Sequence, residues 1–376
     1  MKTKHIKHII MLCLLVAVLA LAGCGAEIKE KQVNTPIKVG VVLPLTGQVA
    51  DLGLSVKEAI EMAVEEIHAE GGVNGRPIQL IFEDGMCDPK TASNAGNKLI
   101  NADKVKYIIG GFCSAETSAF VPVSNEQHVL QISPTSSAPA LSQAGPWFFR
   151  VYPSDAYQGV FGAEYAYNKL GARKAGVIYV LDDWGTGIKD TFVKRFKELG
   201  GEVVAVEGIN KDDNDARTQL TKLKSAGADF IYMPTFAGNA AAVLKQRKEL
   251  GWNVKVLGGD GAIDETVVKI AGDASEGFMA SGVDTNPSAE VKQKFKQRTG
   301  YDFKLGSDHG YDALKILVHV MKKVGADDND KVRRELEKTT YNGITGTIKF
   351  DENGDVVGAK YKLRVVKNGK FEMMDE

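Results

Sequence analysis

Short apolar runs alternate with amphipathic helical segments twice over in this chain, and that rhythm limits the fold more than any single residue does. In the first series Ile37 to Leu43 reads as a buried strand and Pro44-Leu45-Thr46-Gly47 as a turn. Ala59, Ile60, Ala63, Val64 and Ile67 then mark the core face of a helix that ends at Gly71-Gly72. Strands are predicted from Ile78 to Glu83, Tyr107 to Ile109 and Val129 to Ser133, with a helix from Pro89 to Ile100. Consecutive strands separated by helices pair in parallel, so this series predicts an α/β layer architecture. After the apolar run Trp147 to Val151 the rhythm restarts, with strands at Ala175 to Leu181, Val203 to Val206, Phe230 to Met233, Val254 to Gly258 and Gly277 to Ser281. Helical patterns fill the gaps at Thr191 to Leu199, Thr218 to Ala226 and Ala240 to Leu250. Two doubly wound lobes are expected instead of one large sheet, in keeping with 376 residues of which 44% are hydrophobic. From Asn286 helices dominate, and the C-terminus reads as a hairpin of Gly346 to Phe350 with Lys360 to Val366 around Asp351-Glu352-Asn353-Gly354-Asp355.

One junction concentrates chemistry. Tyr107 to Thr117 is a short strand, a relaxed Gly110-Gly111 turn and a helix start, with Ser114 placed as N-cap ahead of Ala115 to Asn125. In open α/β sheets ligands sit outside the carboxyl ends of strands, where helix N-termini offer unpaired N–H groups to an anion. Glu116, two residues past Ser114, either stabilises the helix start or, pointing inward, repels a ligand carboxylate.

Lys2, Lys4 and Lys7 precede an apolar run from Ile9 to Leu21 that is too short for a membrane span and reads as a secretory signal. It ends in Leu21-Ala22-Gly23-Cys24, which resembles the bacterial lipobox, so Cys24 is expected to be lipidated and to begin the exported chain. Residues 24–36 then form a polar linker. Without the three signal lysines the chain carries 44 basic against 48 acidic residues, a balance that offers no basic face to nucleic acid. Cys87 and Cys113 are the pair left after export into an oxidising compartment, and a disulfide is expected. No phosphate-binding loop, nucleophile elbow or metalloprotease motif is present in the sequence, and no nucleophile and base pair suggests itself. The reading is of a protein that is not an enzyme and that needs neither cofactor nor metal.

Cys87-Asp88-Pro89-Lys90, Gly71-Gly72-Val73-Asn74-Gly75-Arg76, Phe112-Cys113-Ser114, Ile132-Ser133-Pro134-Thr135-Ser136-Ser137-Ala138-Pro139 and Gly258-Gly259-Asp260-Gly261 together resemble the leucine/isoleucine/valine-binding family of ABC-transporter substrate-binding proteins, from Ile37 to the C-terminus. The resemblance implies the type I periplasmic binding protein fold, with three hinge crossings near Tyr152-Pro153, Val283-Asp284 and Phe350-Asp351. Residues 37–153 plus 284–349 would form lobe I and residues 154–283 plus 350–376 lobe II, after a signal peptide at 1–23. It also implies a Cys87–Cys113 bridge beside Ser114. Carried over, Ser114 and Ser137 would hold a ligand carboxylate, while the backbone of Thr135 and the side chain of Asp260 would take its ammonium. Leu52, Phe112, Trp184 and Phe236 would line a pocket for a branched-chain or aromatic side chain. The implied partners are an amino acid and the membrane permease of an importer. The protein is expected to be a monomer, anchored by lipid to a bacterial membrane and facing the periplasm or cell exterior. An amide or aromatic-acid ligand, or service as a sensor for a signalling partner, is the competing expectation.

Overall fold

The computed structural model describes residues 35–374, so the expected signal, the lipobox at Cys24 and nearly all of the linker lie outside the described residues. The first sheet has the order β2-β1-β3-β4-β5, all parallel, from β1 (Ile37–Leu43), β2 (Ile78–Asp84), β3 (Tyr107–Gly110), β4 (Leu130–Ser133) and β5 (Phe148–Arg150). β1 and β3 are almost wholly buried, which is why they read as continuous apolar runs without alternation. Crossovers are made by α1 (Ala50–Ala69), α2 (Pro89–Asn97) and α3 (Ser114–Glu126).

The second sheet has the order β14-β13-β10-β9-β8-β6-β7. Its parallel part is β6 (Lys174–Val180), β7 (Glu202–Ile209), β8 (Phe230–Met233), β9 (Lys255–Gly258) and β10 (Met279–Val283). Helices α4 (Asp155–Glu164), α5 (Asp183–Glu198), α6 (Arg217–Ser225), α7 (Ala237–Glu249) and α8 (Glu265–Ala271) cover its faces.

The three late helices, α9 (Ala289–Thr299), α10 (Ser307–Val324) and α11 (Asn329–Leu336), return to the first sheet. α10 packs along α1: Ser55 and Ser307 share a buried hydroxyl contact of 2.7 Å, and a Cβ at Gly310 would stand 2.6 Å from Val56. On the solvent side Arg298 of α9 gathers Glu58, Glu61 and Glu65, spaced to present one face of α1.

The expected C-terminal hairpin is corrected. β12 (Gly346–Lys349) pairs with β11 (Thr340–Gly343), and β13 (Tyr361–Lys367) pairs with β10 and with β14 (Lys370–Met373), so the two predicted arms never meet. The second turn is Asn368-Gly369, with φ of +51° and +73°, the residue pair that a two-residue hairpin favours. Asp351–Asp355 does turn the chain, with Phe350 and Val356 in an isolated antiparallel bridge across it, but the chain then leaves β12 and runs past the end of β5, where Arg150 N–H donates to the Gly354 carbonyl at 3.0 Å.

Candidate functional site

The Cys87–Cys113 disulfide is formed, with Cα atoms 5.4 Å apart, and it ties the loop after β2 to the head of α3. Cys113, not Ser114, is the N-cap of α3. The difference comes from Glu116, the third residue of the helix. Its buried carboxylate accepts the N–H groups of Cys87 (2.8 Å), Phe112 (2.8 Å) and Cys113 (3.0 Å), and so closes the helix start from the far side. Burial pushes this carboxyl up to about 7, against the pull of its three N–H donors. Glu116 therefore points inward but into its own backbone cage, not at the ligand space.

Relieved of capping, Ser114 takes another role. Its hydroxyl oxygen accepts the N–H groups of Ser137 (3.2 Å) and Ala138 (3.1 Å), joining the loops after β3 and β4. With its oxygen occupied by two donors, the hydroxyl hydrogen is left to donate elsewhere. Ser133 Oγ and Ser136 Oγ both donate to the Gly111 carbonyl, and Thr135 Oγ1 donates to the Phe112 carbonyl at 2.6 Å, so the loop pair is rigidly stitched.

Across from these loops stand the strand ends of the second sheet. Asp182 caps α5 by accepting Gly185 N–H at 2.7 Å, which holds Trp184 on the first turn. Trp184 stacks on Phe236 with ring centroids 5.1 Å apart and planes at 25°. A Cβ on Gly261 would stand 2.8 Å from Trp184, so the glycine is what lets the indole lie there. Asp260 begins a short turn after β9 and is buried. Its Oδ2 accepts the Tyr152 hydroxyl at 2.5 Å and its Oδ1 accepts Gly261 N–H at 2.9 Å. Burial holds its carboxyl above the usual range, against the Tyr152 hydrogen bond.

Between the two sides lies a cavity of about 40 Å³, room for about one water. Of the eight residues expected around a ligand, seven line it: Phe112, Ser114, Thr135 and Ser137 from the first sheet, and Trp184, Phe236 and Asp260 from the second. Leu52 is corrected. It sits in the first turn of α1 and is buried in the core on the apolar stripe of that helix, and it does not line the cavity. Tyr152 and Leu305 line it and were missed by sequence reasoning. The signal for Tyr152 was its place at a crossing beside Pro153; Leu305, in a loop before α10, gave none.

Residues 36–370 match the family model described as periplasmic binding protein. The chain belongs to that family. Among periplasmic binding proteins, it is 30% identical over 347 residues to the leucine-, isoleucine-, valine-, threonine- and alanine-binding protein of Pseudomonas aeruginosa, covering 91% of this chain and 92% of that one. It superposes on the leucine-binding protein LivK of Thermotoga maritima with a TM-score of 0.84 at 31% identity, covering 90% and 98%. It matches the branched-chain amino acid transporter substrate-binding protein LivJ of Streptococcus pneumoniae, solved with isoleucine, with a TM-score of 0.81 at 25% identity, again covering 90% and 98%. Periplasmic binding proteins of importers are exported solute-binding components, and the type I fold expected from the motifs is the fold found.

Proposed function

We propose that this protein is the substrate-binding component of an ABC importer. It binds a hydrophobic amino acid, branched-chain or aromatic, between its two sheets and delivers it to a membrane permease without chemical change. The observation that carries this reading is the polarity of the cleft. Hydroxyl donors Ser114 and Ser137 come from one side, an acid, Asp260, from the other, and the Trp184–Phe236 stack closes the apolar end. A zwitterion with an apolar side chain satisfies all three at once, and only when both sides contact it. We infer that the bodies that close are 37–153 plus 284–349 and 154–283 plus 350–376, that the protein works as a monomer, and that Cys24 carries the lipid anchor. Cys24→Ala should fold normally yet leave the membrane fraction after a high-salt wash; retention there would rule out lipidation at Cys24.

A thermal-shift screen of the exported chain against the common amino acids tests the central reading, since a ligand at 100 times its dissociation constant stabilises by about 2.7 kcal/mol. Silence across the whole set would overturn it. A second reading, an amide or aromatic acid, is favoured by one observation: the Tyr152 hydroxyl already satisfies one oxygen of Asp260, which lessens its need for a cation. Asp260→Asn separates the two. It should weaken the best amino acid by roughly 2 to 5 kcal/mol, as for a desolvated charge pair, and unchanged calorimetric affinity would move the second reading ahead.

A further inference from the structure

One contact bridges the two sides without lining the cavity. The Lys211 amine, in the turn after β7, donates to the Cys87 carbonyl in the loop after β2 at 3.1 Å. β2 and β7 are edge strands, each the member of its sheet farthest in strand order from those that run into the proposed crossings, β5 in the first sheet and β10 and β13 in the second. Rotation about the crossings carries these edges through a longer arc than anything nearer the axis, so the contact exists only where the two sides are close. Both of its ends are held in place. Asp213 closes the Lys211 turn by accepting from the Asn210 side chain at 2.9 Å, and the buried amide of Asn239 on α7 donates to the carbonyls of Asn210 (3.1 Å) and Asp213 (2.7 Å). On the other side Met86 and Cys87 both carry positive φ, +54° and +52°, a conformation that residues with side chains seldom adopt. The disulfide to Cys113, the Glu116 bond to Cys87 N–H and the Asp88 cap of α2, which accepts Thr91 N–H at 2.8 Å, hold that turn. The Thr91 bonds first, and the Lys211 charge after them, keep the Asp88 carboxyl below its usual range, so the cation is felt by an acid of the opposite side. Strain of this kind persists where the surroundings over-determine it, and here it presents a carbonyl across the cleft.

We propose that Lys211 is a positioning residue for ligand capture: by holding the Cys87 carbonyl it keeps the two sides together once a ligand has bridged them, and so sets how long the ligand stays. The proposal rests on the amino-acid reading of the cleft. Neither Lys211 nor Cys87 lines the cavity, so the contact supports every ligand alike and carries no preference among side chains. A contact made only in the closed arrangement slows dissociation and leaves encounter with the open arrangement nearly untouched. The same geometry makes capture sensitive to the disulfide. A dithiol reductant converts the Cys87–Cys113 bond to two thiols and is itself oxidised to a disulfide. The Cys87 loop then keeps its bond to Glu116 but loses its covalent tie, and the carbonyl is no longer held on Lys211.

Stopped-flow binding of leucine and of phenylalanine to the exported chain, parent and Lys211→Met, tests this. The variant should release both amino acids about threefold to tenfold faster, by the same factor for each, while association rates stay within about twofold of the parent. Lys211→Arg keeps the cation and its donors and should recover most of the loss. Dithiothreitol should speed release from the parent toward the rate of Lys211→Met and add little to the variant, as for two changes that act through one contact. Effects that multiply independently overturn the link to the disulfide. Unchanged dissociation in Lys211→Met, a loss that falls on association instead, or a shifted ratio of leucine to phenylalanine affinity overturns the proposal, the last because it would put the side chain on the ligand. Should reduction unfold the chain, the Lys211 series decides alone. A parent that binds neither amino acid sinks the reading beneath the proposal, and the proposal with it.

Discussion

Glu116 holds three backbone N–H groups from two loops, and the disulfide beside it holds the same loops by their side chains. Replacing it by Gln puts an amide N–H₂ where acceptors are needed and orphans at least one buried donor, a cost of about 1 to 3 kcal/mol. The pH dependence has a definite sign. The folded carboxyl lies near 7 and the ordinary value is 4.5, so its stabilising contribution is complete below the ordinary value and is lost as pH rises through about 7. Gln does not titrate. The stability difference between parent and Glu116→Gln, from urea melts, should therefore shrink between pH 5 and pH 8; a difference that grows would mean the N–H cage outweighs burial. In the sequence Glu116 was visible as an acid near a helix start, but which way it pointed was not, because that depends on the Cys87 loop arriving from 29 residues away.

Between elements, a buried polar contact joins the end of β5 to the stretch after β12. Arg150 at the end of β5 is fully buried, and its Nε and Nη2 meet Asp355 at 2.6 and 2.8 Å in a bidentate pair. Ser142 joins them through its hydroxyl at 2.6 Å from Asp355 Oδ2. Asp355→Ala leaves a buried guanidinium with its main acceptor gone and should destabilise by about 3 to 5 kcal/mol in denaturant melts. Breaking the exposed Lys269–Glu265 pair by Lys269→Ala should cost less than about 1 kcal/mol, since solvent and salt screen it. Equal losses from the two would show that burial is not what gives the Arg150 pair its weight. The turn-rich Asp351 to Asp355 stretch does turn the chain, but the arm it was expected to join does not return to β12, and Asp355 within it meets a guanidinium some 200 residues earlier. Asn368-Gly369 carried the better local signal for a hairpin and lies where one forms.

At the scale of the whole molecule, the cavity is the constraint. At about 40 Å³ the cavity is smaller than an amino acid, and the proposed amino-acid reading has the two sides part for entry. A ligand that bridges them binds the closed arrangement better and shifts the population toward it. Small-angle scattering should give the ligand-free protein a radius of gyration larger than that of the closed arrangement, falling toward it at saturating amino acid. A radius unchanged by confirmed binding would argue that entry needs only side-chain movement at Trp184 and Phe236. The sequence by itself determined the alternation that makes the parallel strands of both sheets, the strand ends that carry Ser114, Ser137 and Asp260, and the cysteines left to pair after export. Those are local in origin: hydrophobic period, turn residues and residue type at an element's end. Only the tertiary structure decided that Cys113 caps α3, that Leu52 belongs to the core, that Tyr152 reaches Asp260 and that the Asp155 carboxylate is buried without a hydrogen-bond partner. Each of these depends on where segments distant in the chain come to rest, and nothing in the local pattern of apolar and polar residues encodes that distance.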